Sequence, residues 1–431
     1  MQETKQERKT QMKLERAPMG WNSWDCYGAA VTEEAVRKNA DYMAKYLKPY
    51  GWEYIVVDIQ WYEPAAKSHS YNAFAPLCMD EYSRLVPAEN RFPSSKDGKG
   101  FAPLADFVHS LGLKFGIHIM RGIPRQAVHG NTGIKNSTAL PREIAKTDDI
   151  CHWNTDMYGV DAKKEGAREY YESLFELYAS WGVDFIKCDD IARELSHAED
   201  ELILISEAVK NCGREMVLSL SPGPAILEKA DLYGQYADMW RMTDDFWDRW
   251  DDLYAMFERA EKWAPFCGKG GFPDADMLPV GAINQVYSPE NRTRFTKDEQ
   301  MTMMTLWSIF RSPLMIGGEL TKNDDFTLGL LTNTEILKMH KNSRRAKQAK
   351  RWNAPDGNEY VIWTADSAEK GRYVAAFNLG DTDGKLEIDP QSLGIKNTAE
   401  GLALWTEERI KSASPFTVSL HSHAAKAFYF E

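Results

Sequence analysis

Six aspartates fall near the ends of runs that read as β-strands: Asp58 in VVDIQW, Asp189 and Asp190 in KCDD, Asp244 and Asp245 in WRMTDD, and Asp276 in PDADMLPVG. One aspartate at a strand end can simply cap the following helix. Several converging on one mouth repel and raise one another's pKa, a cost without structural return. Two carboxylates flanking a sugar bond can hydrolyse it. In a retaining arrangement they stand about 5–5.5 Å apart, one as nucleophile and one as acid/base. Several carboxylates could instead hold a hard cation such as Mg2+. Basic neighbours oppose the metal reading. Lys187 lies two residues before Asp189 and Arg241 four before Asp245, so on extended strands each pair shares a face. Such a cation keeps a nucleophile ionised and can hold a substrate hydroxyl, with an ordinary buried ion pair as the competing reading.

Positioning these groups requires a scaffold, and the pattern supplies one. Eight strand-like runs are present: 17–24, 54–61, 113–120, 184–190, 216–222, 237–245, a weak one before Asp276, and 313–320. Amphipathic stretches alternate with them at 32–48, 166–182, 196–212, 248–263, 296–311 and 328–341. Residues 166–182 place Tyr170, Tyr171, Leu174, Phe175, Tyr178 and Trp181 at helical spacing before a terminating Gly182. Eight strand–helix units over residues 17–345 predict a (β/α)8 TIM barrel, whose chemistry sits at the C-terminal ends of its strands. A doubly wound sheet is the alternative, but no GxGxxG turn follows the first strand. Residues 344–352 (RRAKQAKRW) read as basic, solvated surface. Short alternating runs separated by PDG, EKG and DTDG then predict a small C-terminal antiparallel β-sandwich over 346–431, packing on the barrel or binding glycan. Residues 1–16 read as a polar, disordered leader.

Composition narrows the partners. The 431 residues carry 52 Lys and Arg against 64 Asp and Glu, a net charge of −12, which argues against nucleic acid or an anionic membrane. The carboxylate excess, with 14 Trp, 19 Tyr and 18 Phe, suits a carbohydrate partner. The six cysteines form no CxxC pair, so no zinc ribbon or thioredoxin-type site is expected. The leader lacks an apolar signal core, which favours the cytoplasm, with secretion or a periplasmic location open if the chain is a processed form.

Taken in order, MGWNSWDCYG (19–28), VVDIQW (56–61), KCDD (187–190), WRMTDD (240–245), PDADMLPVG (273–281) and LWSIFRSPLMIGGEL (306–320) resemble the successive motifs of glycoside hydrolase family 27. That family includes α-galactosidases and α-N-acetylgalactosaminidases. The resemblance implies Asp189 as nucleophile and Asp245 as acid/base in a double displacement with retention. It implies that Lys187 and Arg241 hold hydroxyls and tune the carboxylates, that Trp24 walls the pocket, that Asp58 holds the 4-hydroxyl and that Asp276 lies at the mouth near the 2-position. No metal or cofactor is implied.

Two specificity positions depart from that pattern. Typical α-galactosidases read D-D-C-W at the second strand, where the second Asp binds the 6-hydroxyl; here the run is Asp58-Ile59-Gln60-Trp61. Losing a polar partner for a hydroxyl can shift specificity by orders of magnitude. The Cys-Glu-Trp of strand 5 is replaced by Leu220-Ser221-Pro222, a serine resembling the α-N-acetylgalactosaminidases, although Pro224 stands where they carry Ala. The family's Tyr on strand 3 corresponds to His118, either a pocket or a packing residue, and Arg121 in the following loop could enter the pocket. The expectation is a retaining exo-glycosidase for terminal galactose-configured sugars. α-Galactosidase is the default reading, with α-N-acetylgalactosaminidase and β-L-arabinopyranosidase as alternatives. A non-catalytic glycan-binding barrel and a metal-dependent barrel hydrolase are the rivals of other classes. The oligomeric state is not legible.

Overall fold

The computed structural model describes residues 14–396, 400–411 and 415–431. All but the last three residues of the expected leader lie outside them. Eight parallel strands form the barrel: β1 Met19–Asn22, β2 Tyr54–Val57, β3 Lys114–Met120, β4 Phe185–Asp189, β5 Val217–Leu220, β6 Met239–Arg241, β7 Phe272–Asp274 and β8 Leu314–Ile316. They are hydrogen-bonded in the order β7-β6-β5-β4-β3-β2-β1-β8. A parallel bridge between Leu278 and Ile316 brings the segment after β7 onto β8 and closes the ring. Every strand residue except Lys114 is buried, as expected where helices cover a parallel sheet.

The principal covering helices are α1 Glu33–Tyr42, α2 Ala102–Ser110, α3 Ala167–Ser180, α4 Glu199–Asn211, α5 Ala230–Tyr236, α6 Trp250–Trp263, α7 Lys297–Phe310, α8 Asp325–Thr332 and α9 Thr334–Asn342. The amphipathic pattern had not marked α2 or α5. Both are short, and α5 contains Gly234, where a Cβ would meet the Lys269 carbonyl oxygen at 2.6 Å. The close approach explains a glycine that otherwise reads as a helix breaker. The stretch 328–341 is two helices, because the Asn333 side chain accepts from Ile336 N–H at 2.9 Å and starts a new one.

The C-terminal segment forms two antiparallel sheets. Six strands, β9 Ser343–Asn353, β10 Glu359–Ser367, β11 Arg372–Asn378, β13 Glu400–Ala403, β14 Arg409–Lys411 and β16 Ala425–Phe430, pair in the order β9-β10-β11-β16-β13-β14. Two more, β12 Gly384–Ile388 and β15 Phe416–Leu420, pair with each other. The basic run at 344–352 keeps its side chains half-buried or exposed, as expected of surface, but its backbone is most of strand β9, paired along β10. Two of its five charges are paired across the strands, Arg345 to Asp366 and Arg351 to Glu359.

The two faces of the six-stranded sheet serve different cores. Val361, Trp363 and Ala365 of β10, with Tyr373, Ala375 and Phe377 of β11, join the barrel core. The alternate residues Tyr360, Ile362, Val374 and Ala376 pack with Leu386, Ile388, Val418 and Leu420 of the small sheet. Helix α7 is buried over most of its circumference because it is wedged between barrel and sheet.

Candidate active site

On β4 the period of two places Lys187 and Asp189 on one face, with the fully buried Cys188 between them on the other. His118 of β3 gives Asp189 Oδ2 a ring nitrogen, Nε2, at 2.7 Å. The Ser221 hydroxyl, just past β5, donates to Asp189 Oδ1. Ser221 reaches this position because the Pro222-Gly223-Pro224 turn lies flat against the end of β6. A Cβ on Gly223 would collide with the Thr243 and Arg241 carbonyl oxygens.

Asp58, one residue past β2, accepts from Lys187 Nζ at 2.8 Å and Asn22 Nδ2 at 2.7 Å on Oδ2, and from Ile59 N–H at 2.8 Å on Oδ1. Burial alone would raise the Asp189 carboxyl. The Lys187 ammonium, His118 and the Ser221 hydroxyl outweigh it and hold Asp189 well below the usual carboxylate range. Asp58 is likewise driven up by burial but brought below its ordinary value, chiefly by Lys187. Burial opposes the Lys187 charge, yet Asp58 and Asp189 keep its pKa above normal.

The second carboxylate is reached differently. Strand β6 ends at Arg241, so strand parity does not extend to Asp245. A loop folds Asp245 back instead, and Arg241 Nη1 donates to its Oδ1 at 3.2 Å. The same nitrogen donates to Asp276 Oδ2, which also accepts from Phe246 N–H at 2.8 Å, while Met277 N–H donates to Oδ1 at 2.7 Å. Asp276 is thus buried beneath the loop that carries Asp245, not at the mouth as expected. Its oxygens are occupied by Arg241 and two backbone amides. Burial pushes its carboxyl up, Arg241 opposes this, and Asp245 and Asp274 add to the rise.

A cavity of about 420 Å3 opens over these groups. Of the expected residues, Trp24, Asp58, Lys187, Asp189, Asp245 and the neighbouring Asp244, which pairs with Arg193 at 3.6 Å, line it. Ile59, His118, Ser221, Arg241 and Asp276 stand behind that lining, all buried. His118 and Ser221 grip Asp189, and Arg241 grips Asp245. Asp190 turns away: Arg121 Nη2 donates to it at 3.0 Å and Arg121 Nε to its carbonyl at 2.7 Å. Burial pushes the Asp190 carboxyl up to about 6, against the pull of Arg121. Arg121 is also held by Asp149 and by Glu201 of α4, so it is a buried cross-link and does not enter the cavity.

The cavity has lining residues that the sequence had not marked. His69 and Tyr71 come from the long β2–α2 connection, and Trp153 and His152 from the β3–α3 connection. The latter folds into a three-stranded sheet of Ile123–Pro124, Met157–Val160 and Ala145–Ile150. It is pinned where Asp156 accepts from Gln60 Nε2 at 3.0 Å and the Tyr62 hydroxyl at 2.9 Å. Tyr71 stacks on Trp24 with ring centres 6.0 Å apart, and Trp153 lies 5.6 Å from Tyr71. These side chains make an apolar rim around a polar floor, the construction of a small-ligand pocket. The only sequence signal for them was aromatic–histidine pairing in long loops. Among the described residues no group of three or more His, Cys, Asp or Glu is arranged to hold a metal ion, and no helix is long and apolar enough to cross a membrane.

The family model described as alpha galactosidase A matches residues 160–342, and the alpha galactosidase C-terminal β-sandwich model matches 357–430. A family 27 β-L-arabinopyranosidase from Geobacillus stearothermophilus is 55% identical, with 97% of this chain and 96% of that one covered and a TM-score of 0.92. A proposed α-N-acetylgalactosaminidase from Bacillus halodurans is 51% identical, covering 98% and 100%, with a TM-score of 0.86. An α-galactosidase from Coffea arabica is 27% identical over 94% of this chain and 91% of its own length. With the barrel and its carboxylate floor, these likenesses define the protein as a glycoside hydrolase. The chain belongs to glycoside hydrolase family 27.

Proposed function

We propose that this chain is a retaining exo-glycosidase that prefers terminal β-L-arabinopyranosides, sugars of galactose configuration without the 6-hydroxymethyl group. The observation that carries the choice is Ile59. It follows Asp58 directly, is buried, and has no side-chain polar atom for a 6-hydroxyl. The 55% identity to the Geobacillus arabinopyranosidase supports the same reading. An α-galactosidase is the second reading, favoured by the curated relatives at 24–27% identity.

In this mechanism Asp189, held ionised by Lys187, His118 and Ser221, attacks the anomeric carbon while Asp245 protonates the departing oxygen. The sugar is left esterified to Asp189. Asp245 then takes a proton from water, which attacks the anomeric carbon and frees the Asp189 carboxylate. Lys187 and Asp58 offer a donor and an acceptor to the sugar hydroxyls, and Trp24 gives its apolar face a wall.

The reading is tested with nitrophenyl β-L-arabinopyranoside, α-galactoside, α-N-acetylgalactosaminide and α-glucoside. The first should have the largest kcat/KM. Asp189→Ala and Asp245→Asn should each lower kcat on the arabinopyranoside by on the order of 10³-fold or more, as for groups that act directly on the reacting atoms. A near-full rate for Asp189→Ala would remove it as nucleophile, and preference for the α-galactoside would return the second reading.

A further inference from the structure

A second depression of about 600 Å3 adjoins the pocket and shares His69 with it. We infer that it receives the leaving group of the glycoside, as a second pyranose ring laid on Tyr287. This rests on the assignment of Asp245 as acid/base.

Chain connectivity carries the argument first. Whatever is bonded to the oxygen that Asp245 protonates must extend past Asp245. The loop continues through Phe246 to Trp247 and Asp248, and these two line the second depression. A third depression, of about 410 Å3, also adjoins the pocket and shares His152 with it, but it is lined by Arg121, Asp149 and Asp190. It therefore opens beside the residue that follows the nucleophile and not beside the proton donor.

The surface chemistry agrees. Tyr287 is 61% exposed, the second most exposed of the large apolar side chains among the described residues. Its ring lies parallel to that of His69, 5.5 Å between centres and 21° between planes. His69 is in turn held edge-on by Trp247 at 5.8 Å and by Trp24 at 4.9 Å. An unbroken aromatic path thus runs from the pocket wall, Trp24, to the open Tyr287. His69 is fixed in it because its Nε2 sits 2.8 Å from the Trp24 carbonyl, and burial lowers its pKa, which favours the neutral ring. Around the platform stand Arg292 and Arg294; Asp248 anchors Arg294 at 2.8 Å, while among the described residues Arg292 donates only to the neighbouring Asn291 carbonyl, at 3.0 Å. An exposed aromatic face bordered by guanidinium donors matches a pyranose, which has an apolar face and an equatorial ring of hydroxyls. A bare aliphatic leaving group would leave those donors unused.

The test compares two substrates carrying the same glycone: a disaccharide ending in β-L-arabinopyranose, and β-L-arabinopyranosyl fluoride, whose leaving group is too small to reach Tyr287. Galactosyl counterparts replace them if the nitrophenyl panel favours galactose. Tyr287→Ala should lower kcat/KM on the disaccharide by about tenfold, the usual scale for truncating an aromatic anchor, mostly through KM. The rate on the fluoride should stay within twofold. Tyr287→Phe, which keeps the ring, should restore the disaccharide. Equal loss on both substrates, or no loss on the disaccharide, overturns the inference. Failure of the parent enzyme to turn over the fluoride of any tested glycone would instead overturn the glycosidase reading on which it stands.

Discussion

An isoleucine offers a sugar hydroxyl only contact area, so on the proposed reading Ile59, buried next to Asp58, is the position at which sugar choice should be moved by one substitution. Ile59→Asp should raise the ratio of α-galactoside to β-L-arabinopyranoside kcat/KM by roughly 10–100-fold, since a site that hydrogen-bonds a hydroxyl discriminates strongly against sugars lacking it. Because the new carboxylate adjoins the buried Asp58, Ile59→Asn is the uncharged companion. If the ratio stays fixed in both, residue 59 does not read the 6-position. In the proposed mechanism His118 acts through its neighbour, as a positioning residue. It stands behind Asp189 and helps to keep that carboxyl low. Loss of a hydrogen bond to a charged group is worth about 1.5–3 kcal/mol, and losing this one should raise the Asp189 carboxyl. Below its own pKa Asp189 is protonated and cannot attack, so the acid limb of kcat/KM in His118→Phe should move to higher pH while the alkaline limb stays. A uniform drop with an unmoved limb would mean that His118 only packs.

At the level of elements, α9 is joined to the start of β8 by one buried histidine. His340 Nε2 lies 2.7 Å from the Ser312 carbonyl, and burial pushes its pKa down to about 4. The folded state therefore prefers neutral His340, whereas the unfolded chain protonates it near 6.5. Below that value the unfolded state binds more protons, so this contribution is complete above about pH 6.5 and is lost as pH falls toward 4. His340→Gln keeps an amide donor without the titration. Its unfolding free energy, measured in urea from pH 7 to 4.5, should fall less steeply with acid than that of the parent, and identical slopes would contradict the assignment. Elements of this kind were legible unevenly. Seven of the eight barrel strands were readable as short runs rich in apolar residues. The seventh in order, Phe272–Asp274, gave only a weak signal because it is three residues long and holds a proline. Lys187 and Asp189 fell on one face because β4 is a true strand. Asp245 and Asp276 were located only approximately. Both lie beyond a strand, in loops where residue parity carries no direction, and Asp276 adopts a left-handed backbone (φ 80°) that no sequence period encodes. The aromatic rim was illegible for the same reason: Tyr71 and Trp153 reach the pocket through irregular loops set by Asp156 and its partners. Strand β9 was missed because its lysines and arginines stay half-buried or exposed, a pattern that a strand shares with plain surface.

For the whole molecule, the decisive fact is that the barrel core does not stop at the barrel. Phe377 of β11 meets Phe257 of α6 edge to face, ring centres 4.9 Å apart, and Trp363 of β10 lies 6.4 Å from Phe310 of α7. The seam is also polar. Trp405 Nε1 donates to the Thr305 hydroxyl at 3.0 Å, and the Thr302 hydroxyl to the His423 carbonyl at 2.6 Å. Helix α7, which carries Phe310, Thr302 and Thr305, also carries Trp307, whose Nε1 donates to the Asp276 carbonyl at 3.1 Å. One helix therefore touches both the C-terminal sheet and the layer under Asp245. If that continuity governs stability, the two regions should unfold together. Phe377→Ala should cost about 3–5 kcal/mol, the usual result of removing a buried phenylalanine, and should lower the temperature at which activity is lost by the same amount as the calorimetric midpoint. Two separate transitions, with only one moved by Phe377→Ala and activity following the other, would mean that the sheet folds beside the barrel without supporting its site.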